Sequence, residues 1–515
     1  MDMILAELLK DLKYQKFSGD INLDIQKIEY DSRLIQKGDL FVAIPGFQID
    51  GHSFIDEAIK RGAVASVLER DGDYPLKAKI LVPDARIALS HLANKFYDSP
   101  SSKMGLIGIT GTNGKTSITY MVKSILEKKG HKVGLLGTIA YFIGDKKIDA
   151  THTTPESLDL QRILSQMLKN GISWVVMEAS SHSLALNRVK DIDFDVAVFT
   201  NLTREHLDFH KTMESYREAK GILFESLSEA SIQKDRKKDG KWAILNRDDP
   251  NWEYFYRKAK VPKLTYSIEK GKGDIYPNSF YYGFNGIRMD LKTPSGQIEM
   301  KLNLLGKSNI YNALASAAVC SAIGIDLSTV KSGLESLSPI PGRMEKIDCG
   351  QNFNIIIDYA HTPYAFERLL NDIREIAKGE IFLVFGCGGD RDKGKRPLMG
   401  EIASRLADFS FITLDNPRTE DPRRIFEDIL TGVEDKSKVE IVADRKEAIR
   451  KVLEEARKND TVIFAGKGHE DYQIFGDMKV HFSDKEEVLN FFKKSCRRGR
   501  IYPTRAPSVE KKKRA

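Results

Sequence analysis

The run ITGTNGKTS, residues 109–117, sets two glycines, a lysine and several hydroxyls between an apolar stretch and a helix-forming one. A glycine-rich turn there lets backbone N–H groups close on phosphate oxygens, while Lys115 supplies a cation and the Thr116 hydroxyl a ligand for Mg²⁺. The expected nucleotide contacts are therefore Gly111, Thr112, Asn113, Gly114, Lys115, Thr116 and Ser117. The spacing is G-x-x-G-K-T from Gly111, with Ile109 where the longer form of this loop has its first glycine. A glycine turn that only starts a helix is the alternative, and the joint occurrence of strand, turn, Lys-Thr and helix favours triphosphate binding.

Other residues gain meaning only from their neighbours. Glu178 closes the apolar run WVVMEA, where it serves equally well as a metal ligand or a strand-end cap. His206 follows DVAVFTN, and a lone histidine is more often a hydrogen-bonded residue than a ligand. Lys220 by itself is a solvated helix lysine, Asn309 a helix cap, and DNPR at 415–418 a turn with a surface arginine.

Taken in order, these segments form a longer pattern. It comprises DSR at 31–33, GTNGKTS at 111–117, TTP at 153–155, MEASSH at 177–182 and NLTREHLDFH at 201–210. It continues with YREAKGILF at 216–224, GKSNIYNALAS at 306–316, PGRME at 341–345 and DYAHTP at 358–363. GCGGDRDKGKRP at 386–397, DNPRTEDP at 415–422 and GKGHE at 466–470 complete it. The ordered set resembles the Mur ligases, ATP-dependent amide-forming enzymes, over residues 20 to 490. Within that family, DNPR and GKGHE are similar to the members that add meso-diaminopimelate to UDP-N-acetylmuramoyl-L-alanyl-D-glutamate during peptidoglycan precursor synthesis.

The resemblance implies a role for each matching residue. Lys115, Glu178, His206 and Lys220 are the implied catalytic set, with Thr116, Glu178, His206 and Lys220 around Mg²⁺ and Lys220 modified by CO₂ to N6-carboxylysine. A carbamate would offer Mg²⁺ anionic oxygens where an ammonium would repel it. Asn309, Arg343, Asp358 and His361 are implied contacts of ATP, which would bridge two domains whose closure excludes water. Ser32 is implied for the uridine nucleotide, and Thr153, Thr154, Ser180 and Arg188 for the muramoyl dipeptide. Two positions depart from the family pattern: His152 stands before TTP where Asn is common, and Leu186 where Gln is common. Arg391, Asp415, Asn416, Pro417, Arg418, Gly466 and Glu470 are implied for diaminopimelate. The planar fork of Arg418 suits a second carboxylate that lysine lacks, and Glu470 would take the distal ammonium.

These residues need a frame of strands and helices. Leu40 to Ile44 read as a short buried strand, and SFIDEAIKRGA as a helix behind Ser53 as N-cap. DSPSSK, 98–103, reads as a linker. From there to about 338 the pattern runs strand, loop, helix, with WVVMEA, DVAVFTN and KWAILN as central parallel strands and an Ala-rich helix from Ser308 to Gly324. FNIIIDYAH, EIFLVFGCGG, FSFITLDNPR and DTVIFAGKGHE are four further strands beyond a Pro/Gly hinge. The expected fold class is α/β in three domains: a small α/β unit at 1–100 for the UDP-sugar, a P-loop parallel-sheet unit at 101–338 for ATP, and a Rossmann-like unit at 339–492 for the amino acid.

Composition bounds the rest. At 515 residues, 41% hydrophobic and 30% charged, the chain exceeds what one core usually serves. Four scattered cysteines without a CxxC pair argue against a zinc ribbon or a disulfide framework. The segment 493–515 holds ten basic residues and one acid, so it carries +9 of the net +7 and leaves −2 for residues 1–492. It reads as a solvated extension rather than a nucleic-acid arm. The N-terminal stretch, interrupted by Asp2, Glu7 and Lys10, gives no secretory pattern, so a cytoplasmic monomer acting on small molecules, without nucleic acid or membrane, is the expectation. The rival readings are a lysine-adding relative, a folylpolyglutamate synthetase, and a P-loop ATPase that binds nucleic acid through the basic segment.

Overall fold

The computed structural model describes residues 2–46, 49–227 and 240–497. The first sheet has the order Lys16–Gly19, Ala78–Leu81, Ala65–Leu68, Leu40–Val42, Ile28–Glu29, parallel apart from its first pair. The strand at Leu40 ends at Val42, short of Ile44. Ser53 does not cap the next helix. Asp50 caps a 3₁₀ turn, Gly51–Phe54, that runs straight into Ile55–Arg61, and the Ser53 hydroxyl turns back to the Asp50 carbonyl. Residues 98–103 are not an open linker either: Pro100 and Ser101 are buried, and the Ser101 hydroxyl accepts from the Asp193 N–H at 3.2 Å.

The central sheet has eight strands, in the order Lys146–Asp149, Ala140–Ile143, Val133–Leu136, Trp174–Glu178, Gly105–Thr110, Val196–Phe199, Trp242–Asn246, Lys263–Tyr266. The last six are parallel and the first two form an antiparallel edge hairpin. Strand residues alternate between two cores: Ile107 and Ile109 pack against Lys115–Lys128 and Lys307–Ala322, and Leu106 and Val175 against Ser157–Lys169 and Met213–Ser226. Coverage on both faces is why these strands read as unbroken apolar runs. Gly105–Thr110 lies between Trp174–Glu178 and Val196–Phe199, so the three segments bearing the phosphate loop, Glu178 and His206 leave the sheet side by side. Ligands of open α/β sheets bind beyond such strand ends.

A three-stranded antiparallel sheet, Tyr276–Gly283, Gly286–Thr293 and Gly296–Leu302, interrupts the expected strand–helix alternation. The last large sheet has the order Glu345–Lys346, Asn354–Asp358, Thr461–Ala465, Ile381–Phe385, Phe409–Ile412, Val439–Ile441, parallel apart from its first pair. All four strands expected beyond the hinge are in it. The final helix, Asp484–Arg497, includes Lys493 and Lys494, where the solvated segment was expected to begin. Residues 498–515 and the Cys496 side chain lie outside the described residues. Among the described residues no helix is long and apolar enough to cross a membrane.

That helix is anchored by a fully buried ion pair. Arg445 donates to both Asp484 oxygens at 2.7 and 2.8 Å, and to the Ala465 carbonyl at 3.2 Å, one residue before Gly466. Replacing Arg445 by Ala would strand a buried carboxylate, at a cost of about 3–5 kcal/mol. The expected result is a matching fall in urea midpoint, most of it recovered in Arg445→Met/Asp484→Leu; equal loss in both variants would refute this account.

Candidate active site

The phosphate loop is shaped by two glycines. Gly111 has φ +142°, and a Cβ on it would lie 1.8 Å from the Thr200 hydroxyl oxygen; Gly114, φ +90°, would meet Asn312 Oδ1 at 2.6 Å. No side chain fits at either position. Gly114 caps Lys115–Lys128, whose N-terminus faces a cleft of about 880 Å³. Lys115 Nζ folds back on the loop, donating to the carbonyls of Gly111 and Thr112 at 3.0 and 2.8 Å. Thr112, Asn113, Ser117, Asn309 and His361 line the same cleft.

Glu178 is buried beside the loop. Its Oε1 accepts from the Thr116 hydroxyl at 2.9 Å and the Thr138 N–H at 2.8 Å, and its Oε2 from the Thr138 hydroxyl at 3.1 Å. Thr138 Oγ1 in turn lies 3.1 Å from Thr153 Oγ1. A hydroxyl and a carboxylate in contact form a hard-oxygen donor set of the kind Mg²⁺ takes. His206, φ +57°, opens the helix Leu207–His210 with its ring 4.7 Å from that of His182. Burial, opposed by Glu205, holds its imidazole down to about 4, so the ring is a neutral donor at physiological pH.

Lys220 is not a solvated helix lysine. Its side chain is buried, its Nζ donates to the Gly111 carbonyl at 3.0 Å, and it lies 4.3 Å from the Tyr216 ring centroid. Burial first, and then Lys115, hold its amine well below the usual lysine range, with Glu205 opposing. The two lysines thus share one carbonyl acceptor.

The opposite wall comes from the last sheet and the hinge. Arg343 Nη2 donates to Thr116 Oγ1 at 3.2 Å, crossing between the two units. Asp358 accepts from the N–H groups of Met344 and Ala360 at 2.6 and 2.7 Å, and burial raises its carboxyl. Asn309 is not a cap. Gly306 holds that position, and Asn309, buried in the first turn, donates to the Leu305 carbonyl at 2.8 Å and accepts from Asn312 at 2.9 Å.

Thr154, Ser180 and Arg188 cluster beside Glu178. The Thr154 hydroxyl donates to the Glu178 carbonyl at 2.7 Å and accepts from the Ser180 N–H at 3.2 Å, while Arg188 donates to the Thr154 carbonyl at 3.2 Å. Glu156 draws together Arg188 and Arg86, at 3.2 and 2.9 Å, so Arg86 of the first unit joins this wall. Ser32 stands apart from the cleft in a 3₁₀ turn, its hydroxyl donating to Glu57 at 3.0 Å. At the two departures, the His152 N–H donates to the Tyr141 hydroxyl at 3.2 Å and Leu186 ends the short helix Ser181–Ala185.

The residues expected to contact the amino acid occupy loops after Ile381–Phe385, Phe409–Ile412 and Thr461–Ala465. Arg418, φ +54°, donates from Nη1 to the Gly389 carbonyl at 2.7 Å, and both it and Arg391 lie close to Gly388. Its own N–H donates to the Ile474 carbonyl at 3.0 Å. Pro417 accepts from the Glu420 N–H at 3.2 Å, closing the turn. Fully buried Arg396 ties this loop to its neighbour: it is bidentate to Glu420 at 2.8 and 2.7 Å and reaches the Gly388 carbonyl at 3.2 Å, while Glu420 accepts from the Asp390 N–H at 3.0 Å. Glu470 accepts from Asn416 at 3.1 Å, and buried Lys467 lies 3.4 Å from both Asp415 and Glu470. Burial, then Asp415, raises the Glu470 carboxyl. Gly466, φ +104°, begins that turn. Lys467, Arg396, Glu205 and Glu420 were not singled out from sequence although all four lie inside quoted motifs; Thr138 gave no local signal.

Sequence profiles agree with this geometry. The Mur ligase family catalytic domain matches residues 24–97, the Mur ligase middle domain 109–320, and the Mur ligase glutamate ligase domain 342–468. The chain belongs to the Mur ligase family. It is 47% identical to UDP-N-acetylmuramoyl-L-alanyl-D-glutamate--2,6-diaminopimelate ligase 1 of Clostridium acetobutylicum, over 95% of this chain and 99% of that protein. A solved UDP-N-acetylmuramoyl-L-alanyl-D-glutamate--2,6-diaminopimelate ligase shares 30% identity and superposes with a TM-score of 0.69, covering 96% of this chain and all of that one. A MurF ligase of Thermotoga maritima in complex with ADP shares the fold, with a TM-score of 0.61, 22% identity and coverage of 92% and 98%. Mur ligases are ATP-dependent, and this one is an acid–amino-acid ligase by family.

Proposed function

We propose that this Mur ligase adds meso-diaminopimelate to UDP-N-acetylmuramoyl-L-alanyl-D-glutamate, with ATP and Mg²⁺, as a cytoplasmic monomer in peptidoglycan precursor synthesis. The observation that carries the amino-acid assignment is the guanidinium of Arg418, fixed on the Gly389 carbonyl within a loop pair that also presents Asp415, Asn416 and Glu470. A fixed fork suits the second carboxylate of diaminopimelate, and the acidic pair suits its distal ammonium. The relatives that carry this activity by name cover nearly the whole chain.

In this reading a carboxylate oxygen of the muramoyl peptide attacks the γ-phosphorus, ADP leaves, and the amine of diaminopimelate attacks the resulting acyl phosphate. The nitrogen bonds the acyl carbon, phosphate departs and the nitrogen sheds a proton. Lys115 leaves its two loop carbonyls to grip the phosphate, and the loop N–H groups hold the developing charge. Thr116 and Glu178 would hold one Mg²⁺, and His206 with carbamylated Lys220 a second. Bound Mg²⁺ supplies positive charge to the phosphate oxygens. Carbamylation needs a neutral amine, whose nitrogen bonds CO₂ with loss of a proton, and the lowered basicity of Lys220 favours that form. Arg343, Asp358 and His361 close the nucleotide from the far wall and keep water from the acyl phosphate.

The test is phosphate release with Mg-ATP and UDP-N-acetylmuramoyl-L-alanyl-D-glutamate, comparing meso-diaminopimelate, L-lysine, L-glutamate and no amino acid. Release confined to diaminopimelate, with a product heavier by that residue, is expected. Turnover with lysine instead would overturn the specificity, and amino-acid-independent release would overturn the ligase reaction.

A further inference from the structure

Tyr359 stands where the two halves of the candidate site meet. It belongs to the hinge side by its backbone: its N–H donates to the Gly342 carbonyl at 2.9 Å, and its own carbonyl lies 2.8 Å from Nδ1 of His361. Its ring has the Arg343 guanidinium 4.7 Å from the centroid, the His361 ring at 4.6 Å and the His469 ring at 5.0 Å. Its hydroxyl donates to Glu470 Oε1 at 3.4 Å, while Glu470 Oε2 is shared by Asn416 and Lys467. One side chain therefore touches Arg343, which reaches Thr116 in the phosphate loop, and also Glu470, which belongs to the amino-acid loops.

We propose that Tyr359 is a positioning residue that couples nucleotide binding to amino-acid binding, with its ring seating Arg343 and its hydroxyl aiming Glu470. This rests on the reading of Glu470 as an amino-acid contact. A phosphate that draws Arg343 from Thr116 must alter the cation lying on the Tyr359 ring, and the ring is held too closely for its hydroxyl to stay indifferent. A Cβ on Gly468 would lie 2.7 Å from the Tyr359 Cβ, so the backbone of the GKGHE turn rests directly on this residue. Movement of either loop is then felt by the other, and the coupling must be reciprocal. Arg343 on an aromatic face in a partly dried cleft is a contact that a Phe ring preserves and an aliphatic side chain does not.

The experiment uses the full chain and three variants, with calorimetric Kd for the non-hydrolysable nucleotide AMP-PCP with Mg²⁺ and steady-state KM for diaminopimelate. Tyr359→Phe keeps the ring and removes the hydroxyl: KM for the amino acid should rise about fivefold while nucleotide affinity stays within about twofold. Tyr359→Leu removes both contacts and should weaken both ligands. Tyr359→Phe without effect on the amino acid, or Tyr359→Leu shifting one ligand alone, would overturn the proposal. Glu470→Gln, measured alongside, separates the two readings. If it leaves the amino-acid KM untouched, the assignment of the amino-acid site fails; if it raises KM while Tyr359→Phe does not, only the coupling fails.

Discussion

Lys220→Met is expected to yield a folded protein whose kcat is lower by on the order of 10²–10³-fold and whose metal-free form unfolds at a higher temperature than the wild type. The two effects have one cause. Lys220 is buried against the Gly111 carbonyl with Lys115 nearby, so its amine is neutral in the native state at pH values where the unfolded chain protonates it. The unfolded state then binds more protons, and wild-type stability rises with pH until the ordinary lysine value, about 10.4, is reached. Methionine removes that linkage and fills a similar volume. The advantage in unfolding temperature should therefore widen as pH falls from 9 to 7, measured by scanning calorimetry in chelator. A gap that does not change with pH, or a less stable variant throughout, would refute the neutral-amine account.

Arg418→Ala should collapse selectivity rather than folding. A site built around a second carboxylate leaves its cation unpaired with lysine, and such an asymmetry discriminates by about 10⁴–10⁵ at best. Removing the fork should reduce the ratio of kcat/KM for meso-diaminopimelate over L-lysine by at least about 10²-fold, with nucleotide affinity unchanged. The variant already tolerates the local backbone, because alanine and arginine meet the same restriction at φ +54°. A drop in nucleotide affinity of the same size as the loss for diaminopimelate would assign Arg418 to loop folding instead.

Much of this site is visible in the amino-acid sequence because its signals are local. The phosphate loop, the strand ends at Glu178 and Phe199, and the parallel strands beyond the hinge are each announced by a few consecutive residues. What escapes local reading is what joins distant segments. The Arg396–Glu420, Arg445–Asp484 and Tyr359–Glu470 contacts span 24, 39 and 111 positions, and none has a spacing that a periodic pattern could register. The environment of Lys220 is similar, since helical periodicity marks it as one more polar residue until the Gly111 carbonyl is found above it. Ser53 yields the cap to Asp50, three residues earlier, whose carboxylate accepts from the His52 N–H. The sheet at Tyr276–Leu302 did have a signal, the glycines at 286 and 296 directly after short turns, which mark hairpins between alternating strands.

The buried Arg396 has a consequence for what lengths of amino acid the enzyme accepts. It fastens the Gly388 loop to the Glu420 turn from within, and the Arg418 N–H and carbonyl pair with Ile474 and Gly476, so the backbone that carries the arginine head is held in place. With Arg418 reading the distal carboxylate as proposed, the site would act as a ruler with one end at the guanidinium and the other where the acyl group is delivered. A diamino acid with fewer carbons between its two centres would carry the right charges and still fall short, so the buried contacts behind Arg418 would help to set the chain length that the site takes.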